Sequence, residues 1–264
     1  MFAALLAATL TGLATGLGAL PFLFIRELPR RVYDGILGLG AGLMLSAATL
    51  GLLSEALELT RAAGSGLAMI VSGFLVGVGV AAAMDRLIPH RHASDHHQHI
   101  GHGPGHDHHD RAEPLDELRR GYAIIGALAI HRVPEGLAIG ASFEVGHHAR
   151  LGLLLAIAVG LQNACEGIVM AAPLRQAGAN AGRSTALVTL TGLATPLAAL
   201  AGGLLAGAAT SAMPFILPLA AGTLIYVTSN EIIPESHSHG HEGTASTGVV
   251  LGFLLTMILK TLLA

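Results

Sequence analysis

Long apolar runs alternate with short polar connections along the whole chain. Each run is about 20 residues long, which is the length of an α-helix that crosses the hydrocarbon core of a bilayer. The pattern predicts an all-α integral membrane protein that forms a single domain, residues 1–264, with eight transmembrane helices. The predicted helices cover residues 2–25, 35–59, 66–89, 119–143, 150–174, 183–208, 212–235 and 246–263.

Composition supports a membrane protein and excludes some partners. The chain is 52% hydrophobic and only 12% charged, with a mean hydropathy of +0.65, whereas a soluble domain has about twice that charged fraction. The net charge of −3 is too small to indicate nucleic acid as a partner. The 35 glycines favour helices that pack through small residues.

Basic residues in the connections predict the orientation, because loops rich in arginine and lysine stay in the cytoplasm. One predicted side carries only Arg61, Arg150 and Lys260. The other side is therefore predicted to be cytoplasmic, with both chain termini outside. It carries Arg26, Arg30, Arg31, Arg86, Arg91, Arg111, Arg119, Arg120, Arg175 and Arg183.

Two histidine-rich tracts fall on this predicted cytoplasmic side. The first is the loop of residues 90–118, which reads HRHASDHHQHIGHGPGHDHHD from position 90 to 110, and the second covers residues 236–245. Neither has an apolar face to bury, so we predict solvated segments that bind metal weakly or have no essential role. The candidate metal-binding residues are His96, His97, His99, His102, His106, His108, His109, His237, His239 and His241.

Polar residues also interrupt the apolar runs of the fourth and fifth predicted helices. HRVPEG begins at His131 and QNACEG begins at Gln162, so both follow the pattern polar–polar–x–x–Glu–Gly. On a helix, residues i and i+4 lie about 40° apart, and residues i+1 and i+4 lie about 60° apart on the other flank. Each glutamate, Glu135 or Glu166, therefore lies between the two polar residues that precede it.

If these two helices face each other, they form two adjacent sites that share the glutamates. Two ionised carboxylates in hydrocarbon are very costly unless a cation compensates them. A divalent metal ion is one such cation, and the guanidinium of Arg132 is another. A buried ion-pair network that only joins the helices is the alternative. Pro134 removes one backbone hydrogen bond of the fourth helix and frees a carbonyl for a ligand or water.

Four further acidic residues lie near predicted membrane edges, where a solvated helix end is as plausible as a ligand. They are Glu55, Glu58, Glu231 and Glu235. Glu231 is the best candidate for a transport pathway, because Asn230 and Pro234 flank it.

These motifs resemble the ZIP family of divalent metal transporters, and most of all its prokaryotic GufA-like branch. HRVPEGLAIG resembles the helix-four motif of the family and GLQNACEGIVMAAPL its helix-five motif. GLATPLAAL and DRLIPH resemble segments of its sixth and third helices. The resemblance covers nearly the whole chain and implies a ZIP-like bundle with a metal site between helices four and five.

The resemblance implies that the first metal is bound by His131, Glu135, Gln162 and Glu166, which match the pattern of the branch. At second-site positions this chain has Arg132, Asn163 and Thr195. A guanidinium cannot ligate a cation and repels one. We therefore expect one metal site, with Arg132 as a tethered cation in place of the second metal.

The same resemblance also bears on Cys165 and on the metal that is transported. Cys165 replaces the helix-five proline of the family, which makes its thiol a candidate on the pathway. Imidazole, amide and carboxylate ligands suit Zn²⁺ first, and also Fe²⁺, Mn²⁺, Co²⁺ or Cd²⁺. These ions and the bilayer are the expected partners, and no catalytic cofactor is expected.

The expected activity is movement of the metal into the cytoplasm across the inner membrane of a bacterium by an alternating-access, elevator-type mechanism. Helices one, four, five and six would slide against helices two, three, seven and eight, in a homodimer.

Three other functions are alternatives to metal import. A cation-diffusion-type exporter would have about six helices and His/Asp ligand pairs four residues apart. An intramembrane metalloprotease would need His-Glu-x-x-His, which the helices do not contain, so the chain is not interpreted as an enzyme. A non-transporting membrane metal sensor, in which Arg132 locks the site, stays open as an alternative.

Overall fold

The computed structural model describes residues 1–63, 67–87, 114–144, 149–208 and 210–263. Within these ranges the protein is helical and contains no strand. In the part of the chain that the structure describes, seven helices are long and apolar enough to cross a membrane. They run over Phe2–Leu23, Arg30–Arg61, Leu67–Arg86, Arg150–Gln176, Ala181–Gly207, Met213–Ser236 and Glu242–Leu263. The fourth predicted helix is also helical, but it is not among these seven.

We number the helical segments α1 to α8 in chain order. α1 is Phe2–Ala19, followed by a 3₁₀ turn over Leu20–Leu23; α3 is Leu67–Leu87, α4 is Pro114–Glu144, α5 is Ala149–Gln176 and α8 is Glu242–Leu263. α2 joins Arg30–Ser46, a π-helical stretch over Ala47–Leu53, and Ser54–Ala63. α6 has two halves, α6a over Ala181–Thr191 and α6b over Ala194–Ala208; α7 joins Met213–Val227, a π-helical stretch over Thr228–Ile232, and Ile233–Ser236.

The sixth apolar segment is one candidate span over Ala181–Gly207, and it contains a short break. The helix ends at Thr191 and begins again at Ala194, and the amide of Thr195 donates to the carbonyl of Gly192 at 3.2 Å. Pro196 explains the interruption, because it has no N–H to donate to the carbonyl four residues earlier and its ring crowds that carbonyl. In the first turn of α6b this missing donor costs nothing.

Small residues bring the helices together, while large apolar residues face outward. In α1, Gly12, Gly16 and Gly18 are buried, whereas Leu10 and Leu17 are 60% and 64% exposed. A Cβ at Gly18 would lie 1.9 Å from the carbonyl oxygen of Ala164 in α5, so the two backbones touch. Exposed leucines and a small-residue interior are what a lipid-facing helix needs.

The helices pack as two groups. α4 packs most extensively against α6b and also against α5, and α1 packs against α5 and both halves of α6. In the other group α2 packs against α8, α3 packs against α7, and α7 contacts the π-helical stretch of α2. The groups meet mainly where α2 packs on α5 and α4 packs on α7.

Candidate metal centre

The facing surfaces of α4 and α5 bring two glutamates and an amide together. The Nε2 atom of Gln162 donates to Glu135 Oε1 at 2.8 Å and to Glu166 Oε1 at 2.9 Å. Gln162 and Glu166 share a face of α5 because they are four residues apart. All three side chains are almost completely buried, so this polar cluster lies inside the protein.

Arg132 points into the same cluster from α4. Its guanidinium donates from Nη2 to Glu166 Oε2 at 3.2 Å and from Nη1 to the hydroxyl of Thr15 at 2.6 Å. The side chain is fully buried. A buried guanidinium needs such partners, because an unpaired charge in this environment is very costly. Arg132 therefore connects α4 to both α1 and α5.

The two other second-site positions are also buried, on the side of α1 and α6b. The amide nitrogen of Asn163 donates to the backbone oxygen of Thr11 at 3.0 Å, which turns this side chain toward α1. Thr195 is fully buried at the start of α6b. A Cβ at Gly136 would lie 2.4 Å from the carbonyl oxygen of Thr195, so α6b touches α4 beside Glu135.

His131 lies at the contact between the two helix groups. Its Nε2 atom is 3.6 Å from Glu231 Oε1 in the π-helical stretch of α7. Within the described ranges, no group of three or more His, Cys, Asp or Glu side chains is already arranged to hold a metal ion. Loading of the predicted first site by a metal would therefore require local movement of side chains.

One carboxylate oxygen in this cluster lacks a donor. Glu135 Oε2 is buried and has no hydrogen-bond partner among the described residues. A buried anionic oxygen without a donor is unfavourable and is normally compensated by a hydrogen bond or a cation. Glu135 can therefore still accept a ligand.

Comparison with known proteins identifies the family. The sequence model of the family described as ZIP Zinc transporter matches residues 78–260. The chain belongs to the ZIP zinc transporter family. "Zinc transporter GufA" of Myxococcus xanthus is 37% identical over 263 residues, which cover 98% of each chain. "Zinc transporter ZIPB" of Bordetella bronchiseptica is 36% identical over 95% of this chain and 78% of its own length.

More distant relatives extend the family to animals. "Zinc transporter ZIP11" of Homo sapiens is 28% identical over 98% of this chain and 96% of its own length. The ZIP family is one of transporters, so the interpretation of the chain as a GufA-like transporter and not an enzyme is confirmed. The seven apolar helices agree with a multi-pass membrane protein of this family.

Cys165, the only cysteine of this ZIP protein, lies on another side of α5. It is buried and forms no disulfide, and its Cβ lies 3.5 Å from the position that a Cβ at Gly40 of α2 would occupy. The thiol side therefore faces the contact between the helix groups. Its predicted place on the pathway stays a prediction.

The second histidine tract is partly anchored by a buried aspartate that the sequence did not single out. Asp34 of α2 is fully buried, and its two oxygens lie 2.8 Å from His239 Nδ1 and 3.2 Å from His241 Nδ1. His237 instead contacts Ser246, at 3.0 Å from Nε2 to the hydroxyl. The seven candidate histidines of the first tract lie outside the described residues.

Sequence reasoning also missed α1 as a contributor to the centre. Thr11 and Thr15 bind Asn163 and Arg132 through a backbone oxygen and a hydroxyl, respectively. A signal was present, because the two threonines are four residues apart in a helix that is otherwise apolar except for Thr9, and so share one face. Threonine carries no charge, so a pattern of intramembrane charges does not include either residue.

Proposed function

We propose that this protein carries Zn²⁺ across the inner membrane into the bacterial cytoplasm. The relatives named above are zinc transporters, which supports zinc as the first substrate. The observation that carries the proposal is the buried Glu135–Gln162–Glu166 cluster, in which Glu135 Oε2 has no donor among the described residues. A divalent cation would satisfy this oxygen, and Fe²⁺, Mn²⁺, Co²⁺ and Cd²⁺ are further candidates with the same ligand chemistry.

The proposed ligands are His131, Glu135, Gln162 and Glu166. The amide nitrogen of Gln162 now lies within 2.9 Å of an oxygen of each glutamate, and a donor nitrogen cannot bind a metal. Rotation of the amide would present its oxygen to the ion instead. His131 would turn from Glu231 to the cluster, so loading the site would also change a contact between the helix groups.

Charge favours one metal ion over two. With both glutamates ionised, the two negative charges and the positive charge of Arg132 leave a net −1. One Zn²⁺ changes this to +1, while two ions would change it to +3 in a buried site. Each uncompensated charge inside a membrane protein is costly, so Arg132 would take the place of the second metal.

Transport would use eight spanning helices, with α4 as the eighth span beside the seven apolar ones. The group of α1, α4, α5 and α6 would slide against α2, α3, α7 and α8 in an elevator-type motion, within a homodimer. Glu231 would receive the ion on the way out of the site, and the His-rich loops on the cytoplasmic side would collect it.

A C-terminal alkaline phosphatase fusion tests the proposed orientation. The fusion would be active with the proposed outside termini and inactive with the opposite orientation.

The first experiment is Zn²⁺ influx into proteoliposomes that hold a pH-insensitive zinc dye. The wild-type protein is compared with the double variant Glu135→Ala/Glu166→Ala and with empty liposomes. Saturable influx that the double variant loses supports transport through this site. Zinc binding without influx of Zn²⁺, Fe²⁺, Mn²⁺ or Cd²⁺ would contradict it and favour a sensor locked by Arg132.

The one-metal proposal has its own test. Arg132→Asn removes the tethered charge and puts an amide oxygen, which can ligate a metal ion, in its place. We expect crystals soaked in Cd²⁺ to show one ion between α4 and α5 in the wild type and two in Arg132→Asn, counted by anomalous scattering. Two ions in the wild type, with Arg132 turned away, would refute the proposal.

A further inference from the structure

We propose that Thr15 of α1 is a positioning residue for Arg132, and this inference rests on the proposed transport function. By holding one guanidinium nitrogen, Thr15 keeps Arg132 on the Glu166 side of the cluster and leaves Glu135 Oε2 available for the metal. α1 would then set the affinity for the ion without binding it.

The hydrogen bonds of Arg132 carry this inference. Arginine and a carboxylate commonly pair through two parallel N–H···O bonds. Here Nη2 donates to Glu166 Oε2 at 3.2 Å, while Nη1 is taken by the Thr15 hydroxyl at 2.6 Å. Glu135 lies in the same cluster through Gln162, and its Oε2 receives no donor from any described residue. The two terminal nitrogens of Arg132 therefore bind different helices: Nη1 binds Thr15 in α1, and Nη2 binds Glu166 in α5.

The backbone fixes Thr15 relative to Glu166. A Cβ at Gly167 would lie only 2.0 Å from the carbonyl oxygen of Thr15, and a Cβ at Gly18 would lie 1.9 Å from the carbonyl oxygen of Ala164. Helix backbones in such close contact leave little room to slide or tilt. The hydroxyl and the carboxylate that hold Arg132 are therefore both on one closely packed helix pair, while Arg132 itself comes from α4.

Loss of the hydroxyl would free one nitrogen of a buried charge. The Nε atom of Arg132 is already buried without a hydrogen-bond partner among the described residues, so loss of the hydroxyl would leave a second nitrogen of the same charge unpaired. Glu135 Oε2, which is buried in the same cluster and has no donor, would be the next acceptor. Arg132 would then compete with the ion for Glu135. A hydrogen bond to a charged group has an effect of about tenfold or more on an equilibrium, which sets the size of the expected change.

The test measures KM and Vmax for Zn²⁺ uptake in proteoliposomes. Thr15→Val replaces the hydroxyl with a methyl group and changes the shape little. Thr15→Ala removes the hydroxyl by shortening the side chain to Cβ, and Thr15→Ser retains the hydroxyl. Thr223→Val is the matched control, because Thr223 is a buried threonine whose hydroxyl bonds Gly77 of another helix at 3.1 Å, in the other helix group. Purified yield and thermal unfolding identify any variant that does not fold.

We expect Thr15→Val and Thr15→Ala to raise KM about tenfold, with Vmax within about twofold of wild type, and Thr15→Ser to restore KM. Thr223→Val should not change KM. In an Arg132→Asn background, Thr15→Val should have no further effect on KM, because the guanidinium that it positions is absent. This loss of effect separates positioning from helix packing.

Two results would overturn the inference. One is an unchanged KM in folded Thr15→Val and Thr15→Ala, and the other is an equal increase in KM with and without Arg132. In either case wild-type uptake that Glu135→Ala/Glu166→Ala abolishes would leave the proposed function standing. Absence of any such uptake would refute the proposed function and the positioning role together.

Discussion

Gln162 is the residue on which the centre depends most directly. Its amide nitrogen is the donor shared by the two glutamates, and its oxygen is the atom that would face a metal. Among the described residues, Arg132 donates to Glu166, but no side chain other than Gln162 donates to Glu135. The same side chain would therefore stabilise the cluster without a metal and ligate the ion with one.

Substitutions of Gln162 separate these roles. Gln162→His should retain Zn²⁺ uptake, because an imidazole is a zinc ligand and can also donate to one glutamate. Gln162→Leu should abolish uptake and lower the free energy of unfolding by about 1–3 kcal/mol, since it leaves buried carboxylate oxygens without a donor. Proteoliposome influx and thermal unfolding in detergent measure the two effects. Full uptake by folded Gln162→Leu would exclude the amide as a ligand.

At the scale of elements, glycine determines how closely α4 and α6b approach. A Cβ at Gly140 would lie 1.9 Å from the carbonyl oxygen of Ala199, and one at Gly202 would lie 2.2 Å from that of Leu137. This contact holds the beginning of α6b, with Thr195, against the Glu135 side of the centre. Because the two backbones touch, a shift of one helix requires a shift of the other.

Gly140→Ala therefore should separate α4 from α6b and lower the free energy of unfolding by about 1–3 kcal/mol, the usual cost of overpacking. Gly126→Ala is the matched control on the same helix, because a Cβ there would meet no atom of the described residues within 4 Å. It should be neutral or stabilise the helix by up to about 1 kcal/mol. The stabilities of the two variants are compared by heating each protein and measuring the folded fraction that remains by size-exclusion chromatography. Equal stability of the two variants would show that the close contact does not matter.

At the scale of the whole molecule, Cys165 lies at one of the two main contacts between the helix groups. α2 packs on α5 and α4 packs on α7, so these two contacts join the group that contains the centre to the other group. Cys165 and Gly40 lie on the first of them, and His131 and Glu231 lie on the second. The elevator-type transport that we propose would require both contacts to change.

A disulfide across the first contact tests this motion. Gly40→Cys would place a second Cβ 3.5 Å from the Cβ of Cys165, which is within the range that a disulfide spans. After oxidation with copper phenanthroline in the absence of zinc, uptake should fall to background, and dithiothreitol should restore it. Gly40→Cys/Cys165→Ala, which cannot cross-link, should not respond to oxidation.

Cross-linking must be measured in the same sample, by mass spectrometry of the α2 and α5 peptides. Complete cross-linking with unchanged uptake would show that α2 and α5 do not move relative to each other during transport. The centre would then have to exchange ions with both sides by local side-chain movement alone.

Hydropathy and motif spacing in the sequence determined the helical membrane architecture, the family and the pairing of the two polar motifs. These properties are local, because a 20-residue apolar run and an i, i+4 spacing have a fixed meaning on a helix. Hydropathy did not reveal the break in α6 or the π-helical stretches of α2 and α7. Those depend on how each backbone meets its neighbours, although Pro196 was a signal for the break.

Only the tertiary structure decided the partners of each polar side chain. The sequence placed Arg132 beside Glu135 on one helix, but the fold gave its guanidinium to Glu166 and to Thr15, a residue 117 positions away. It likewise turned Asn163 to the backbone of Thr11 and joined Asp34 to two histidines near the other end of the chain. Such pairs form because buried polar groups must find donors and acceptors across helix contacts, and sequence separation does not restrict that choice.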